Sequence, residues 1–316
     1  MKKILYRIVV FGLFFNFSSF YCNYIFISWK GRLGNNMFQY ATAYAVAKKR
    51  NFKIAAEENP IHKLFELNYE VLQSNNQNPL HNYTEPLRKQ NFNPELFKVG
   101  PNTQINGFFQ TDKYFINQRN DLIKIFTPRE KTNQPIQKNN KFLITAHIRL
   151  GDYAEGITNY FLQTEFNKYY QNVEYCIPVL DANYYISALK IIFETIKSTQ
   201  KDCMLIIISD SPGHIILKHI LNSISRELAD LNISTYTSTI IDEFTIMRNS
   251  DACITSASSF SWWAAWLSTT AQVIISPKYW LNYYLYPSRT NCSYPQDIEM
   301  SLPNQKFIYS QGYAEF

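Results

Sequence analysis

One apolar run constrains the fold of this chain more than any other segment. Residues Phe142–Ile148 have the composition of a buried β-strand, and the charged sequence Arg149-Leu150-Gly151-Asp152 follows them directly. A continuous apolar strand of this kind is typical of a parallel sheet that is covered by helices on both faces. In such sheets the residues that follow a strand gather at the carboxyl edge, where open α/β folds bind their ligands. His147, Arg149 and Asp152 are therefore the first candidates for a functional site.

Strand-like and helix-like segments alternate along the rest of the chain, which predicts an α/β fold. We predict strands at 24–28, 105–110, 204–208, 252–255 and 273–276, and helices at 35–49, 112–126 and 186–196. Pro212 is expected to open a further helix in its first turn. The stretch 51–103 is rich in Asn, Gln and Pro, and we interpret it as irregular with short helices.

The composition indicates a folded chain with two lobes. With 316 residues, of which 46% are apolar, the chain can bury a large core. A polar connector at 131–140 predicts an N-terminal lobe over residues 24–140 and a C-terminal lobe over 141–316. The 31 Lys and Arg residues exceed the 25 Asp and Glu residues, giving a net charge of +6. This charge suits an anionic ligand, but its scattered distribution argues against nucleic acid as a partner.

The amino terminus has the features of a secretory leader. Lys2, Lys3 and Arg7 precede the apolar run 8–15, so we expect a signal peptide or signal anchor over residues 1–23. The run is shorter than the ~20 residues of a bilayer span, and no clear cleavage site follows it, so the anchored and cleaved forms both stay open. A soluble nucleotide-binding protein of the cytosol, with this run in its core, is the alternative.

Asparagine triplets fit the secretory interpretation. In a secretory lumen, Asn16, Asn82, Asn232 and Asn291 would be acceptors for N-glycosylation because each begins an Asn-x-Ser/Thr triplet. Such triplets also arise by chance, so they support the leader without proving it.

The cysteines and carboxylates argue against a metal site. The five cysteines form no Cys-x-x-Cys pair and have no histidine at ligand spacing, and no Asp-x-Asp sequence is present. Cys253 falls within a predicted strand and Cys22 within the leader. The better candidates for disulfide pairing are Cys176, Cys203 and Cys292.

Two further segments place glycine or serine between a strand and a helix. Gly31 and Gly34 do not match the dinucleotide or P-loop patterns, so they favour a tight turn against some other ligand. Ser258 and Ser259 lie at the start of an apolar helix. Serines there can cap the helix, and the backbone N–H groups of the same turn can bind a phosphate. The sequence leaves both roles open.

Five segments of the chain occur together in a specific order and spacing. They are Gly31–Ala41, Gly107–Gln110, His147–Tyr153, Ser258–Trp263 and Pro277–Trp280. In this combination the chain resembles glycosyltransferase family 11, the galactoside α-1,2-fucosyltransferases. The resemblance implies a GT-B-like fold with two Rossmann-like lobes, each containing a parallel sheet. It also implies an inverting fucosyltransferase without metal or other cofactor, which moves L-fucose from GDP-fucose to the 2-hydroxyl of a β-galactoside-type glycan.

The resemblance further implies where substrates bind and where the protein resides. The acceptor would bind mainly to the N-terminal lobe and the donor to the C-terminal lobe. With the leader uncleaved, the protein would be a single-pass type II protein of the Golgi membrane; after cleavage it would be lumenal or secreted.

The resemblance and the chemistry together suggest roles for individual residues. Arg149 would bind the donor diphosphate, because a guanidinium can hold two phosphate oxygens at once. Further donor-binding candidates are Gly31, Gly34, Asn35, Ser258, Ser259 and Phe260. Asp152 and His147 are both candidates for the base that accepts the proton of the acceptor hydroxyl. Asp210 and Glu243 are expected either to bind the nucleotide's base or ribose or to cap helices.

Departures from the family pattern raise a second hypothesis. Leu150 stands where a second arginine is usual, and Ala257 where an asparagine is usual. Losing one charge-assisted phosphate contact costs on the order of 1.5–3 kcal/mol, which would weaken donor binding. The alternative function is therefore a non-catalytic lumenal protein that retains the fold and binds a glycan or a nucleotide sugar.

Overall fold

A computed structural model describes residues 23–72, 79–85, 92–130, 136, 138–154, 179–199, 201–277 and 305–308. Its strands are β1 (Tyr24–Ile27), β2 (Lys53–Ala56), β3 (Glu70–Val71), β4 (His81–Thr84), β5 (Thr103–Asn106), β6 (Phe142–Ile148), β7 (Cys203–Ser209), β8 (Asn232–Tyr236), β9 (Ala252–Ile254), β10 (Val273–Pro277) and β11 (Gln305–Ile308). Its α-helices are α1 (Leu33–Arg50), α2 (Ile61–Leu64), α3 (Arg119–Ile125), α4 (Gly151–Ala154), α5 (Ala182–Ile196), α6 (Ile215–Glu227), α7 (Ile240–Arg248) and α8 (Ser259–Trp266). Short 3-10 turns occur at Pro94–Lys98, Asp112–Tyr114, Ile116–Gln118 and Lys197–Thr199.

The described strands form two sheets in which all neighbouring strands are parallel. The first sheet has the order β3-β2-β1-β5-β4, and the second has the order β11-β10-β9-β6-β7-β8. The first sheet takes its strands from residues 24–106 and the second from residues 142–308. The predicted N-terminal and C-terminal lobes, which contain these sheets, are called the first and the second lobe below. This confirms the predicted α/β fold, a GT-B-like arrangement of two Rossmann-like lobes with parallel sheets.

The register of the second sheet brings the polar strand ends together. His147 of β6 lies opposite Ile208 of β7, so the residues after the two strands, Arg149 and Asp210, emerge side by side. On the other side of β6, Ala146 lies opposite Ile254 of β9. The short segment between β9 and α8 therefore begins at the same carboxyl edge.

One hydrophobic core extends through both lobes. Phe38 of α1 lies 4.7 Å from Trp262 and 4.9 Å from Trp263 of α8, measured between ring centroids. Phe115, from the first half of the chain, stacks on Trp263 at 5.2 Å with an interplanar angle of 18°. All four rings are at most 2% exposed. The helix α8 buries every residue from Ser261 to Trp266, and apolar residues of both lobes pack around it.

Two half-buried arginines join the lobes at the ends of helices. Arg119 of α3 donates from Nη2 to the carbonyl oxygen of Trp266, the last residue of α8, at 2.8 Å. Arg248 of α7 donates to the carbonyl oxygens of Ile123 (2.9 Å) and Phe126 (2.7 Å), at the end of α3. Burial lowers the pKa of both guanidinium groups. Each cation binds carbonyls that a helix terminus leaves without partners, at the negative end of the helix dipole.

The predicted elements were largely confirmed, with errors where strands are short and exposed. The stretch 51–103, predicted to be irregular with short helices, contains β2, β3 and β4 besides the short α2; β8 was also missed. All residues of β3 are exposed and none of β4 or β8 is buried, so their sequences lack an apolar period. The predicted helix 112–126 consists of two 3-10 turns followed by α3. Pro212 lies before α6, which begins at Ile215 with His214 as its N-cap.

The predicted leader, residues 1–23, lies outside the described part of the chain except for Asn23, so it stays a prediction. No helix of the described part is both long and apolar enough to cross a bilayer. Asn82 and Asn232 are exposed, and sugar on either would place the protein in a secretory lumen. Asn16 and Asn291 lie outside the described residues.

Two of the five cysteines belong to the described residues. Cys253 is buried in β9, and Cys203 is half-buried; both have free thiols. Cys203 was one of the three predicted candidates for pairing, and its free thiol contradicts that choice. Cys22, Cys176 and Cys292 lie outside the described part, so pairing between Cys176 and Cys292 stays a prediction.

Replacing Arg119 by alanine should weaken the junction of the lobes. The variant leaves the carbonyls at the end of α8 unpaired, so we expect Arg119→Ala to lower the free energy of unfolding by about 2–3 kcal/mol. Lys124→Ala, an exposed position on the same helix, is the matched control and should change it by less than about 0.5 kcal/mol. Urea unfolding measures both values. Equal stability of the two variants would contradict a role for Arg119 in joining the lobes.

Candidate active site

The amino-terminal ends of α1 and α8 meet between the lobes. A Cβ atom at Gly34 would lie 2.6 Å from the carbonyl carbon of Ser259 and 2.7 Å from the amide nitrogen of Phe260. Only glycine allows the two helices to approach this closely. Ser259 Oγ also donates a hydrogen bond to Asn35 Oδ1 at 3.3 Å. Two predicted donor-binding segments are therefore in contact, although Gly34 and Ser259 are 225 positions apart in the sequence.

Neither of these helices has a side-chain cap. The N-cap residues, Arg32 for α1 and Ser258 for α8, accept no hydrogen bond from the first turn through their side chains. Of the two roles left open for Ser258, its side chain does not take that of a cap. The first-turn N–H groups of an uncapped helix, together with the positive end of its dipole, favour a bound anion. Two such helix ends in contact give a candidate anion site at the lobe junction.

Arg149 lies at the carboxyl edge of the second sheet between two carboxylates. Its guanidinium binds both Asp152 and Asp210, and its side chain is only 13% exposed. Asp152 also forms an ion pair with Arg32, from the first lobe, at 3.1 Å. Arg149 and Asp152 were predicted together, whereas Arg32 was missed. Its position between Gly31 and Gly34, at the start of a helix, was the signal that could have identified it.

Gly151 lets Asp210 approach the backbone closely. Gly151 has a φ of +33°, and a Cβ atom there would lie 2.6 Å from Asp210 Oδ2. Asp210 Oδ1 accepts a hydrogen bond from the N–H of Leu150 at 2.9 Å. Asp210 thus fixes both the side chain of Arg149 and the turn that carries it. Its predicted contact with the nucleotide stays a prediction.

His147 is buried beneath this edge. It is 3% exposed, and its Nδ1 lies 2.7 Å from Ser256 Oγ. Burial, assisted by the charge of Arg149, lowers the pKa of His147 to about 3. A neutral and weakly basic imidazole without solvent access is poorly suited to accept a proton from a substrate hydroxyl. Asp152, with a side chain that is 50% exposed, is the better placed of the two predicted bases.

Glu243 and Phe260 occupy the neighbouring surface of the second lobe. Glu243 Oε1 accepts a hydrogen bond from the N–H of Ser238 at 3.3 Å, just before α7. This contact fits the predicted capping role. Burial raises the pKa of Glu243, and the nearby charge of Asp210 acts in the same direction. Phe260 is half-buried, with its ring centroid 5.5 Å from that of His147.

The structure changes the interpretation of the two departures from the family pattern. Leu150 is fully buried in the hydrophobic core of the second lobe, and Ala257 is 1% exposed. In this conformation an arginine at position 150 would enter that core. Leu150 is therefore a packing residue here, and it does not mark a gap beside the guanidinium of Arg149.

The described residues contain no group of three or more His, Cys, Asp or Glu side chains placed to hold a metal ion. The predicted independence of metal stays a prediction.

The buried, neutral state of His147 makes stability depend on pH. The unfolded chain takes up a proton near pH 6.5 that the folded protein does not take up until about pH 3. Stability should therefore fall as the pH decreases through this window, by about 1.4 kcal/mol per pH unit. Between pH 7 and pH 5, His147→Gln should lose roughly 2 kcal/mol less than the wild type. Urea unfolding at both pH values tests this, and equal losses would contradict it.

Comparisons with known proteins identify the family. The sequence model of glycosyl transferase family 11 matches residues 21–286. An α-1,2-colitosyltransferase of Escherichia coli is 24% identical over 286 residues, which cover 79% of this chain and 90% of that protein.

Solved structures with similarity to this chain include two fucosyltransferases. A mutant of Arabidopsis thaliana FUT1 in complex with GDP is 11% identical to this chain, with a TM-score of 0.49. The match covers 81% of this chain and 70% of the FUT1 chain. The α-1,6-fucosyltransferase NodZ of Bradyrhizobium, soaked with GDP-fucose, is 11% identical, with a TM-score of 0.45. The match covers 78% of this chain and 92% of the NodZ chain. Since the family model spans most of the sequence, the chain belongs to glycosyl transferase family 11.

Proposed function

We propose that this protein is a fucosyltransferase that moves L-fucose from GDP-fucose to a glycan acceptor. The 2-hydroxyl of a β-galactoside is the acceptor position that the family resemblance favours. The observation that carries the proposal is the contact of two uncapped helix ends, those of α1 and α8, at the lobe junction. This arrangement suits the diphosphate of a nucleotide sugar, because it offers N–H donors without a metal.

Arg149 would stabilise the negative charge that develops on the departing GDP. In the transfer, the acceptor oxygen forms a bond to the anomeric carbon as the bond from that carbon to the phosphate oxygen breaks, with inversion. Electron density moves onto the diphosphate, where fixed N–H groups and a guanidinium are most effective. The acceptor hydroxyl loses its proton to a base, for which Asp152 is the exposed candidate at this edge. Arg32 would supply a second cation from the opposite lobe.

The relative from Escherichia coli supports a second candidate donor. It is named as a colitosyltransferase, and it matches most of this chain. The transferred sugar could therefore be colitose, with the same site for the activating group. Comparing turnover with GDP-fucose and with nucleotide-activated colitose distinguishes these donors.

The non-catalytic alternative loses its main support. It was motivated by Leu150 and Ala257, and Leu150 is buried in the hydrophobic core of the second lobe, while Ala257 is 1% exposed. A folded protein that binds GDP but shows no transfer to a broad panel of glycans would restore it.

Removing the guanidinium should abolish most of the transfer. We expect Arg149→Ala to lower kcat by on the order of 10²–10³, because the developing charge loses its fixed partner. Arg149→Lys should also be impaired, since an ammonium cannot bind two oxygens in a planar fork. GDP release from GDP-fucose in the presence of a galactoside measures both, with the exposed Arg129→Ala as the control. Wild-type turnover without loss in Arg149→Ala would refute this role.

Separating the two helix ends should weaken nucleotide binding. A methyl group at Gly34 would overlap Ser259 and Phe260, so Gly34→Ala has to push α1 and α8 apart. Such overpacking costs about 1–3 kcal/mol, which predicts roughly tenfold or greater weakening of GDP binding. Gly100→Ala is the matched control, because a Cβ atom there meets no heavy atom within 4 Å. Calorimetric titration with GDP measures both, and equal affinities would argue against the two helix ends as the diphosphate site.

A further inference from the structure

A buried carboxylate lies beneath the Gly107–Gln110 segment of the first lobe. Glu85 follows β4 and is 4% exposed. Its Oε2 accepts hydrogen bonds from the N–H groups of Phe108 and Phe109, both at 2.8 Å. A Cβ atom at Gly107 would lie 2.7 Å from the same oxygen, so the glycine lets the backbone close over the carboxylate. Glu85 thus fixes the backbone of this segment.

The backbone that Glu85 holds has an unfavourable conformation. Phe109 has a φ of +51°, in the left-handed region that bulky residues seldom adopt, and its ring is fully buried. Such a conformation persists only where surrounding contacts determine it. The two hydrogen bonds to Glu85, together with the packing of the Phe109 ring, supply those contacts. The conformation determines the direction in which the next side chain, Gln110, leaves the turn.

Gln110 extends to the anion site at the start of α1. Its Nε2 donates to Asn35 Oδ1 at 2.7 Å, and Ser259 Oγ donates to the same oxygen at 3.3 Å. With two donors on Oδ1, the amide of Asn35 has only one favourable orientation. Its Nδ2 then lies against Gly31, and it has no hydrogen-bond partner among the described residues. An amide donor is therefore available beside the uncapped helix end.

The second oxygen of the Glu85 carboxylate makes its burial costly. Oε1 is buried and has no hydrogen-bond partner in the part of the chain that the structure describes. No lysine or arginine of that part forms an ion pair with Glu85, and burial raises the pKa of its carboxyl group. An unsatisfied buried oxygen is costly and calls for an explanation. The hydrogen bonds that Glu85 does form are those of Oε2 to the N–H groups of Phe108 and Phe109, so its contacts serve the backbone from which Gln110 extends.

We propose that Glu85 is a positioning residue for the nucleotide site. It holds the turn from which Gln110 orients Asn35, so that the Asn35 amide donates to a phosphate oxygen of a bound nucleoside diphosphate. The inference rests on the proposed function, because it takes the helix junction as the diphosphate site. It adds a relay of side chains, Glu85, Gln110 and Asn35, in the lobe that the family resemblance assigns to the acceptor.

A double-mutant cycle on Gln110 and Asn35 tests the relay. Calorimetric titration with GDP should show roughly tenfold weaker binding for both Gln110→Ala and Asn35→Ala, with unchanged melting temperatures. The double variant should bind GDP no more weakly than Asn35→Ala, because Gln110 acts through that amide. Gln104→Ala, on the adjacent strand β5, is the control and should bind as the wild type does. Unchanged binding in Gln110→Ala, or additive losses in the cycle, would overturn the proposal.

Two variants of Glu85 test its own part. Glu85→Gln keeps a carbonyl oxygen for the two N–H groups, so GDP affinity should stay within roughly threefold of the wild type. Glu85→Ala removes the acceptor and should weaken GDP binding roughly tenfold, with the loss absent in an Asn35→Ala background. If Glu85→Ala does not fold, the proposal is tested by the GDP affinities of the Gln110 and Asn35 cycle and by the GDP affinity of Glu85→Gln. If the wild type itself does not bind GDP, the proposed function fails and the inference falls with it.

Discussion

The packing of α8 against α1 is the contact on which the rest of the structure depends. Three buried tryptophans on α8 fill the space between the two sheets, and burial of such large rings is among the strongest contributions to a protein core. Because Gly34 lets the helix starts touch, this packing fixes both the lobe arrangement and the convergence of two positive helix ends. The hydrophobic core and the candidate site are consequences of the same contact. A change that loosens one of them also alters the other.

The elements that could be predicted from the sequence are those with a run or period of apolar residues within the element itself. Buried strands such as β6 and β7 consist of apolar runs, and the charged residues after β6 were recognised from that position. Exposed strands such as β3 and β4 depend on neighbours in the sheet, which no local pattern reveals. The same holds for Arg32, Gln110 and Glu85, whose roles depend on contacts with distant segments. The role of Leu150 was misjudged because it follows the end of β6, just before the turn at Gly151. There the alternation of side chains between the two faces of a strand no longer predicts which side chain is buried.

The charged side chains of the site balance one another. Arg32 and Arg149 are matched by Asp152 and Asp210, and the buried His147 below them is neutral. The two cations can therefore lie at the lobe junction without strong mutual repulsion. A diphosphate would compete with carboxylates that already occupy the guanidinium. Such competition favours ligands with at least two negative charges over singly charged ions.

The two arginines at the lobe junction bear on how the chain folds and evolves. The guanidinium of Arg119 completes a helix of the second lobe, and that of Arg248 completes a helix of the first. The end of α8 thus receives hydrogen bonds from the first lobe and the end of α3 from the second, so the two halves should form one cooperative folding unit. The lobes are therefore not interchangeable modules. A chimera that exchanged one lobe with a relative would have to preserve both arginines together with the carbonyl groups that receive them.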